Sequence, residues 1–380
     1  MGLDPGNIVQ NQIYLSGGTA WPVGAGAWEA RAREVLAQGP FDYVAGGAGA
    51  EETMRANLEA FGRRALRPKM LVGTAERDLS VEVLGVRSPA PFLLAPVGVL
   101  SIVHADAELA VARASKATGV PMVLSSAAST PLEDVAALDP PRWFQLYWWG
   151  DPELAESLVR RAEAAGYGAI VLTVDTLTLG WRPRDLRNGY LPFLQGEGFA
   201  QFFSDPAFLA RLEKPPAEDR ATASLMALAA FSNLGLTWDD LARLREWTSL
   251  PMLLKGVLRQ DDAKRALDHG VDGLVVSNHG GRQVDGSIAA LDALAEVREA
   301  VRPDAVVLMD SGIRTGADVV KAVALGADAV LLGRPYAYGL AVGGQEGVEA
   351  VITQLAAEVD LTLALAGART VAELDASFVA

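Results

Sequence analysis

The sequence predicts an α/β protein: a TIM (β/α)8 barrel with an N-terminal helical segment and a long lid-like insert after strand 4. Three observations lead to this prediction. A glycine-led apolar segment recurs four times, four further apolar runs bring the candidate strands to eight, and amphipathic helix patterns lie between them. Eight apolar strands that alternate with helices are typical of this barrel. A doubly wound open sheet is the alternative, but no G-x-G-x-x-G sequence follows the first strand, as that fold would favour.

The recurring segments are GVPMVLSS from Gly119, GYGAIVLT from Gly166, GVDGLVVS from Gly270 and GADAVLLG from Gly326. Each opens with a glycine that can end a helix in the left-handed conformation, and continues as a short apolar run typical of a buried strand. Such self-similarity indicates a repeated βα unit. The remaining strand candidates are PFLLAPVG from Pro91, RWFQLY from Arg142, PMLLKG from Pro251 and AVVLMDSG from Ala305.

The connections between these strands have the pattern of covering helices. Asp151 and Pro152 form an N-cap and first-turn pair, and one apolar stripe then runs along the helix to Gly166. The stripe consists of Leu154, Leu158, Val159 and Ala162. A helix with one apolar face is expected to pack on the outside of the barrel.

The alternation is interrupted at about residues 183–240, which include GYLPFLQGEGFAQFFSDPAF. This stretch is longer than ordinary βα connections, and such length is typical of a lid, with a plain structural insertion as the alternative. We therefore expect one domain over residues 1–380, in which residues 1–90 pack as an N-terminal segment on a barrel formed by residues 91–380.

Composition narrows the possible functions. A net charge of −14 argues against nucleic-acid or anionic-membrane partners, so an anionic substrate would need locally clustered Arg and Lys. The chain contains no Cys, which excludes disulfides, thiolate nucleophiles, Cys-based zinc sites and iron–sulfur clusters. No metal site is predicted. Since no signal-peptide or membrane-spanning pattern is present, we expect a cytoplasmic protein.

The polar residues at the strand ends predict where the chemistry lies, because the carboxyl ends of the strands converge on the active site of a TIM barrel. These residues are Ser125, Ser126, Gln145, Tyr147, Thr173, Asp175, Lys255, Ser277, Asn278, His279 and Asp310. A barrel without a function at this end would carry one or two of them by chance.

The last two strand ends predict a phosphate site. DSGIRTG and LLGRPYAYG each combine glycines with an arginine, so backbone N–H groups at Gly312 and Gly333 can hold a phosphate together with Arg314 and Arg334. Loop glycines with solvated arginines are the alternative interpretation.

Lys255 ends an apolar strand and should point into the barrel mouth, where a cation would stabilise an anionic reduced flavin. A Schiff-base lysine is the alternative.

His279, in SNHGGRQVDG, is the candidate general base, with Asp175 as its orienting partner and Arg282 as a carboxylate ligand. Arg182 is favoured for the site, whereas Arg184 is equally compatible with a surface ion pair.

These segments together resemble the FMN-dependent L-2-hydroxy acid oxidase and dehydrogenase family. SNHGGRQ is the signature segment of that family, and LAPVG, FQLY, TVDT, LLKG, DSGIRTGADVVKA and LLGRPYAYG follow its order and spacing. The resemblance covers essentially the whole chain, from FDYVAGGAG near residue 41 to GGQEGVEAVITQLAAEVD near residue 360. It implies that FMN is the cofactor and that the substrate is a small L-2-hydroxy acid such as L-lactate, with O2 as acceptor.

The resemblance also implies roles for the matching residues. His279 would take the substrate proton while Asp175 supports the imidazolium, and Tyr147 would hydrogen-bond the 2-hydroxyl group. Tyr43, Arg182 and Arg282 would bind the substrate carboxylate. Lys255 would face flavin N1. FMN would be bound by Pro96, Val97, Gly98, Ser125, Gln145, Thr173, Lys255, Ser277, Asp310, Gly312, Arg314, Gly333 and Arg334.

Within that family the chain is most similar to the lactate 2-monooxygenases, which the resemblance associates with acetate, carbon dioxide and water as products. This narrower match depends on RANLEAF, ERDLSVE, GWRPRDL, the insert, and Gly98, where many oxidases carry Ala. Ala127 stands where relatives carry a large aromatic residue. The alternatives are an oxidase that releases the 2-keto acid and hydrogen peroxide, a dehydrogenase with another acceptor, and a non-catalytic FMN-binding sensor. Family members also imply a homotetramer or homo-octamer.

Overall fold

A computed structural model describes residues 5–380 and contains a closed barrel of eight parallel strands. The strands in chain order are β1 (Val81–Val83), β2 (Val86–Ser88), β3 (Phe92–Leu94), β4 (Met122–Ser125), β5 (Arg142–Tyr147), β6 (Ile170–Thr173), β7 (Met252–Val257), β8 (Gly273–Val276), β9 (Val306–Met309) and β10 (Ala329–Leu332). Strands β3 to β10 pair in sequence order, and β10 closes the barrel against β3. The predicted TIM barrel is thus confirmed, and every predicted barrel strand is present.

Helices precede, separate and follow the strands. They are α1 (Gly6–Leu15), α2 (Ala25–Val35), α3 (Gln38–Ala45), α4 (Glu52–Gly62), α5 (Ala107–Thr118), α6 (Leu132–Ala137), α7 (Pro152–Ala164), α8 (Pro183–Asn188), α9 (Ala200–Phe203), α10 (Pro206–Leu209), α11 (Arg220–Ala229), α12 (Asp240–Trp247), α13 (Gln260–Asp268), α14 (Ala290–Ala300), α15 (Gly316–Ala324) and α16 (Arg334–Ala366), the last broken at Gly343 and Gly344. Short 3-10 turns occupy Leu100–Ile102, Pro192–Gln195, His279–Gly281, Val371–Glu373 and Ala376–Phe378. Within residues 5–380, no helix combines the length and apolar character needed to cross a bilayer.

The helix α7 shows how the sequence pattern becomes structure. The Asp151 side chain accepts a hydrogen bond from the Leu154 N–H at 3.2 Å, and Pro152 occupies the first turn, so the helix begins where the sequence predicts. The predicted apolar stripe of this helix is buried against the barrel. Gly166 follows the helix with a φ of 75° and starts the connection into β6.

The β1–β2 hairpin is an element that the sequence analysis did not predict. Its two-residue turn has positive φ at both Leu84 and Gly85, as a tight antiparallel turn requires. Val83 packs into the cluster of side chains inside the barrel, which includes Trp143 near the amino end of β5. The hairpin therefore covers the amino-terminal end of the barrel and leaves the carboxyl end for chemistry.

The insert is compact and aromatic. Phe193, Phe199, Phe202, Phe208 and Phe231 are buried in one cluster with Trp149, which follows β5. The middle of the insert is anchored by the fully buried Asp205, whose carboxylate accepts a hydrogen bond from Arg161 of α7 at 3.0 Å. The insert is thus packed onto the barrel mouth and does not extend into solvent.

The N-terminal segment is tied to the final helix by a buried ion pair, which gives a stability prediction. Asp360 of α16 accepts hydrogen bonds from the Gly6 N–H at 2.8 Å and from two nitrogens of Arg77 at 2.8 and 2.7 Å. We expect Asp360→Ala to lower the free energy of unfolding by about 3 kcal/mol, because it leaves a buried cation unpaired. Urea denaturation measures this change. As a control, Glu34→Ala removes an exposed pair with Arg31 and should cost less than about 0.5 kcal/mol; equal losses would contradict the argument.

Candidate active site

A cavity of about 1080 Å³, measured out to its open mouth, lies at the carboxyl ends of the barrel strands. It is lined by most of the predicted site residues, namely Tyr43, Pro96, Val97, Gly98, Tyr147, Arg182, Lys255, His279, Arg282, Asp310, Gly312, Arg314, Gly333 and Arg334. Asp175, Ser125, Gln145, Thr173 and Ser277 do not line it but lie behind it in hydrogen-bonded contact with one another or with lining residues. Its position at the carboxyl ends of the strands is where a TIM barrel binds its ligands.

His279 and Asp175 form the pair that the sequence predicted. The Nδ1 atom of His279 lies 2.8 Å from Oδ1 of Asp175, and the Thr176 hydroxyl lies 3.0 Å from the same carboxylate oxygen and 3.1 Å from Nδ1. His279 has a φ of 58°, an uncommon backbone conformation that its N–H stabilises by donating to the Ser277 hydroxyl at 3.0 Å. With the Nδ1 proton directed at Asp175, Nε2 is left as the basic nitrogen.

The ionisation of this pair suits a general base. Burial lowers the pKa of His279 below its ordinary 6.5, although the Asp175 carboxylate opposes this effect. Burial would raise the pKa of Asp175, but the positive charges of His279 and Lys255 outweigh it and the pKa is lowered. At neutral pH, His279 is therefore neutral and able to accept a proton, and Asp175 is ionised.

A pH dependence follows from the lowered pKa of His279. We expect kcat/KM to fall as the pH drops through that pKa, with the acid limb below pH 6.5, because only the neutral imidazole accepts a proton. Asp175→Asn removes the charge that raises the pKa of His279, so it should move the limb to still lower pH and reduce kcat about 100-fold or more. Initial rates across a pH series measure both effects. An acid limb above 6.5 that stays in place in Asp175→Asn would contradict the assignment.

Tyr147 is placed to act as a hydrogen-bond donor. Its hydroxyl oxygen lies 3.4 Å from Nε2 of His279, and its ring stacks near Trp149. Burial raises the pKa of Tyr147 to about 12, although the charge of Lys255 opposes that rise. The phenol thus stays protonated beside the base and can donate to a substrate oxygen.

The buried Arg182, the partly buried Arg282 and Tyr43 form a cationic part of the cavity wall. Nη1 of Arg282 donates to the carbonyls of Tyr43 and Gly46, and its guanidinium carbon lies 5.0 Å from the centre of the Tyr43 ring. Burial, followed by the charge of Arg182, lowers the pKa of Arg282 to about 9, which still leaves it charged at neutral pH. These hydrogen bonds go to neutral backbone carbonyls, so the charge of Arg282 is available for an anion such as a substrate carboxylate.

The structure also separates Arg182 from Arg184. Arg182 precedes α8, is buried and lines the cavity. Arg184 lies two residues further along and donates to the Glu51 carboxylate at 2.6 Å. The ion-pair interpretation of Arg184 therefore fits, and Arg182 is the arginine of this stretch that reaches the site.

Lys255 is a buried cation. Its Nζ lies 3.0 Å from Oδ2 of Asp310 and donates to the Ser277 hydroxyl at 2.9 Å. Burial alone would lower the pKa of Lys255, but the carboxylates of Asp310 and Asp175 outweigh it and raise the pKa to about 12. A Schiff-base lysine needs a neutral amine, so the aldolase-type alternative is disfavoured.

The chemistry of the donor set fits FMN. Arg334 is partly buried, and its nitrogens donate to the backbone carbonyls of Val44, Gly280 and Gly46 at 2.8–3.0 Å. Its pKa is lowered to about 10 by burial, so a phosphate beside it would supply the missing negative charge. Gly333 precedes α16 and Arg314 lines the same cavity, which places a helix N-terminus and a second cation there.

Gly312 shows that backbone space limits this loop. It has a φ of 95°, and a Cβ atom there would lie 2.7 Å from the Asn57 carbonyl oxygen.

Behind the cavity, the Ser125 hydroxyl donates to Oε1 of Gln145, and Nε2 of Gln145 donates to the Thr173 hydroxyl, each at 3.0 Å. This chain of buried polar groups crosses neighbouring strands and can serve the polar edge of a flavin ring.

Sequence reasoning did not assign several cavity residues. Thr176 lies within the quoted TVDT segment, and its position directly after Asp175 was the signal that could have identified it. Leu179 lines the cavity from the loop after β6, and Phe193 and Phe231 line it from the insert, whose length predicted a lid without identifying the lining side chains. Within residues 5–380, no group of three or more metal-ligating side chains is arranged to hold a metal ion.

Comparisons with known proteins agree with this geometry. The family described as FMN-dependent dehydrogenase matches residues 32–380. The chain is 46% identical to the FMN-dependent alpha-hydroxy acid dehydrogenase qulF of Penicillium citrinum, over 91% of this chain and 87% of that protein. It is 41% identical to an L-lactate oxidase of Lysinibacillus sphaericus, over 96% of this chain and 95% of that protein.

Solved structures give the same result for the fold. A structure of mandelate oxidase with (S)-4-hydroxymandelic acid superposes with a TM-score of 0.83 at 41% sequence identity, covering 92% of this chain and 96% of that one. The family match spans nearly the whole chain, and its implied cofactor fits the cationic and hydrogen-bonding groups of the cavity. The chain belongs to the family of FMN-dependent 2-hydroxy acid oxidases and dehydrogenases and is an FMN-dependent oxidoreductase.

Proposed function

We propose that the protein oxidises L-lactate, or a similarly small L-2-hydroxy acid, with O2 as the electron acceptor. The observation that carries this proposal is the convergence of a neutral His279, a protonated Tyr147 and the charged Arg282 on one cavity. These groups are a base, a hydroxyl-directed donor and a carboxylate ligand, which are the three functions that a 2-hydroxy acid requires. The relatives named as L-lactate oxidases support lactate as the first substrate to test.

The chain's own side chains bind the acid and move its proton. Arg282 and Arg182 hold the carboxylate by charge-assisted hydrogen bonds, and the Tyr147 hydroxyl orients the 2-hydroxyl group. Nε2 of His279 takes the proton, and the ionised Asp175 stabilises the imidazolium that forms. FMN, when bound, accepts two electrons from the substrate and passes them to O2.

Small substrates are favoured by the apolar part of the cavity lining. Leu179, Phe193 and Phe231 supply apolar side chains there, and the Phe193 and Phe231 ring centres are 4.6 Å apart. Ala127, which has a small side chain, lines the same cavity and packs in one cluster with these two phenylalanines of the insert. A methyl side chain such as that of lactate fits this enclosed apolar surface.

We further propose that the product is retained, which makes the enzyme a lactate 2-monooxygenase. Pyruvate held beside hydrogen peroxide loses its carboxylate: the two react to give acetate, carbon dioxide and water. Early release would instead give pyruvate and peroxide, the oxidase outcome supported by the names of the L-lactate oxidase relatives. Retention is supported by the packed aromatic insert, two of whose phenylalanines line the cavity, since an insert that closes over a site slows product release.

Product analysis tests the proposed function. The FMN-loaded protein is mixed with L-lactate in aerated buffer, and acetate, pyruvate and hydrogen peroxide are quantified together. Acetate without accumulated peroxide is the expected result. Equal amounts of pyruvate and peroxide would show that the protein is an oxidase and not a monooxygenase. If L-lactate does not bleach the flavin, the proposal that L-lactate is the substrate is wrong.

Gly98 provides a prediction about product retention. A Cβ at residue 98 would lie 3.0 Å from both Cβ and the carbonyl oxygen of Ala127, so an added methyl must displace this part of the wall. We expect Gly98→Ala to increase the pyruvate-to-acetate ratio by about tenfold, because a displaced wall holds the product less well. The double variant Gly98→Ala/Ala127→Gly removes the opposing methyl and should recover part of the acetate. An unchanged ratio would show that this contact does not affect retention.

A further inference from the structure

Gln283 is the last residue of the SNHGGRQ segment, and its side-chain amide forms hydrogen bonds in four directions. Oε1 accepts from Nη2 of Arg182 at 2.9 Å and from the Gly180 N–H at 3.4 Å. Nε2 donates to the carbonyls of Asp175 at 3.1 Å and Thr178 at 2.9 Å. An amide side chain has two donor hydrogens and two acceptor lone pairs, so the capacity of Gln283 is fully used.

These four bonds connect groups with different tasks. Arg182 belongs to the cationic wall that binds the substrate carboxylate, whereas Asp175 supports the base His279. Both are attached to the loop that follows β6, and Gln283 contacts this loop at its start, middle and end. The same side chain therefore influences both the anion-binding side and the base side of the cavity.

The backbone in this region is packed too closely for the loop to find another position easily. A Cβ at Gly180 would lie 2.5 Å from the Arg282 carbonyl oxygen and 2.9 Å from Cα of Gln283. Arg182 also donates from Nε to the Arg282 carbonyl at 3.1 Å. Two of the hydrogen-bonding positions of Arg182 are thus held by residues 282 and 283, and the rest of its guanidinium remains available for an anion.

Asp175 depends on such support. Its Oδ1 contacts His279 and Thr176, whereas its buried Oδ2 has no hydrogen-bond partner among the described residues. The carboxylate is held at one oxygen, so its position depends strongly on the backbone that carries it. Gln283 fixes that backbone through the Asp175 carbonyl.

We propose that Gln283 is a positioning residue that sets the distance between the carboxylate-binding Arg182 and the His279–Asp175 pair. This inference rests on the proposed function, because it assigns the two sides of the cavity to one 2-hydroxy acid. Gln283 touches neither substrate nor cofactor in this role. It acts through the two groups that it connects.

Gln283→Met tests the proposal because methionine keeps the length of the side chain and removes all four hydrogen bonds. We expect kcat for L-lactate to fall about tenfold and the Kd for oxalate, a non-oxidisable dicarboxylate probe, to rise about tenfold. Oxalate binding is followed through the flavin absorbance of the FMN-loaded protein. In an Arg182→Met background, Gln283→Met should raise the oxalate Kd by less than about twofold further, because the group it positions is absent.

Gln283→Glu provides a second variant that does not depend on the folding of the first. Glutamate keeps an oxygen that can accept a hydrogen bond from Arg182, but it has no N–H group to donate to the carbonyls of Asp175 and Thr178. We therefore expect kcat to fall by about tenfold in this variant too. Gln354→Met is the matched control, since its amide oxygen accepts from Trp28 on the outer helices. Thermal unfolding and FMN content are measured for all variants.

The outcomes separate this proposal from the proposed function. Coupled effects of the Gln283 and Arg182 variants on oxalate binding, together with reduced kcat in both Gln283 variants, support the positioning role. Equal effects of Gln283→Met with and without Arg182, or an unchanged kcat in both Gln283 variants, overturn it. If L-lactate does not bleach the flavin of the wild-type protein, only the proposed substrate is wrong. Oxalate binding to the single and double variants of Gln283 and Arg182 still shows whether Gln283 acts through Arg182.

Discussion

His279→Gln is expected to slow flavin reduction by the substrate about 1,000-fold while FMN stays bound. Glutamine approximates the size of the imidazole and can bond to Asp175, but it cannot accept the proton that the substrate releases. The rate is measured anaerobically, as the bleaching of the flavin absorbance after rapid mixing with L-lactate. FMN content is measured in the same sample, because the substitution leaves the candidate phosphate ligands Arg314 and Arg334, at the ends of β9 and β10, unchanged.

The chain offers a matched control for this substitution. His269 follows α13, and its ring stacks on Trp238 at 5.7 Å, away from the residues that line the cavity. His269→Gln should change the bleaching rate less than about twofold, since it removes a histidine without touching the site. Bleaching by His279→Gln at the wild-type rate would show that another group takes the proton.

The barrel and the His279–Asp175 contact could be predicted because both follow from strand ends. Short apolar runs after glycines identify the strands, and parallel strands direct their carboxyl ends to one face. His279 follows β8 and Asp175 follows β6, so the closed barrel brings the two loops together, with Nδ1 and Oδ1 at 2.8 Å. No detailed knowledge of packing was needed for that step.

The features that were not predicted depend on local geometry that short segments do not reveal. The three-residue strands β1 and β2 are too brief for a period-two pattern, although the Leu84–Gly85 turn was a signal. The four bonds of Gln283 join residues about 100 positions apart, and no spacing in the sequence indicates them. Which phenylalanines of the insert line the cavity is likewise decided by packing alone.

The second large effect is expected at Arg282. We expect Arg282→Met to lower kcat/KM for L-lactate about 1,000-fold, because removing one partner of a buried charge pair costs about 4 kcal/mol. The substrate carboxylate would enter a buried site with Arg182 as the remaining nearby cation of the cationic wall. Steady-state rates over a range of lactate concentrations give kcat/KM, and the loss should be dominated by KM if the carboxylate is bound equally in the ground and transition states.

Arg184→Met tests whether this loss is specific to the cavity. Arg184 is a neighbouring arginine that pairs with Glu51, so its removal deletes the same charge near the site without deleting a cavity ligand. We expect less than about a twofold change in kcat/KM, since partly exposed ion pairs contribute little and act weakly at a distance. If both variants lost activity equally, the general positive field of this region would explain substrate binding, and the direct contact assigned to Arg282 would be wrong. If Arg282→Met alone loses activity and Arg282→Lys recovers part of it, the charge acts at the carboxylate itself, because lysine restores the cation without the planar fork.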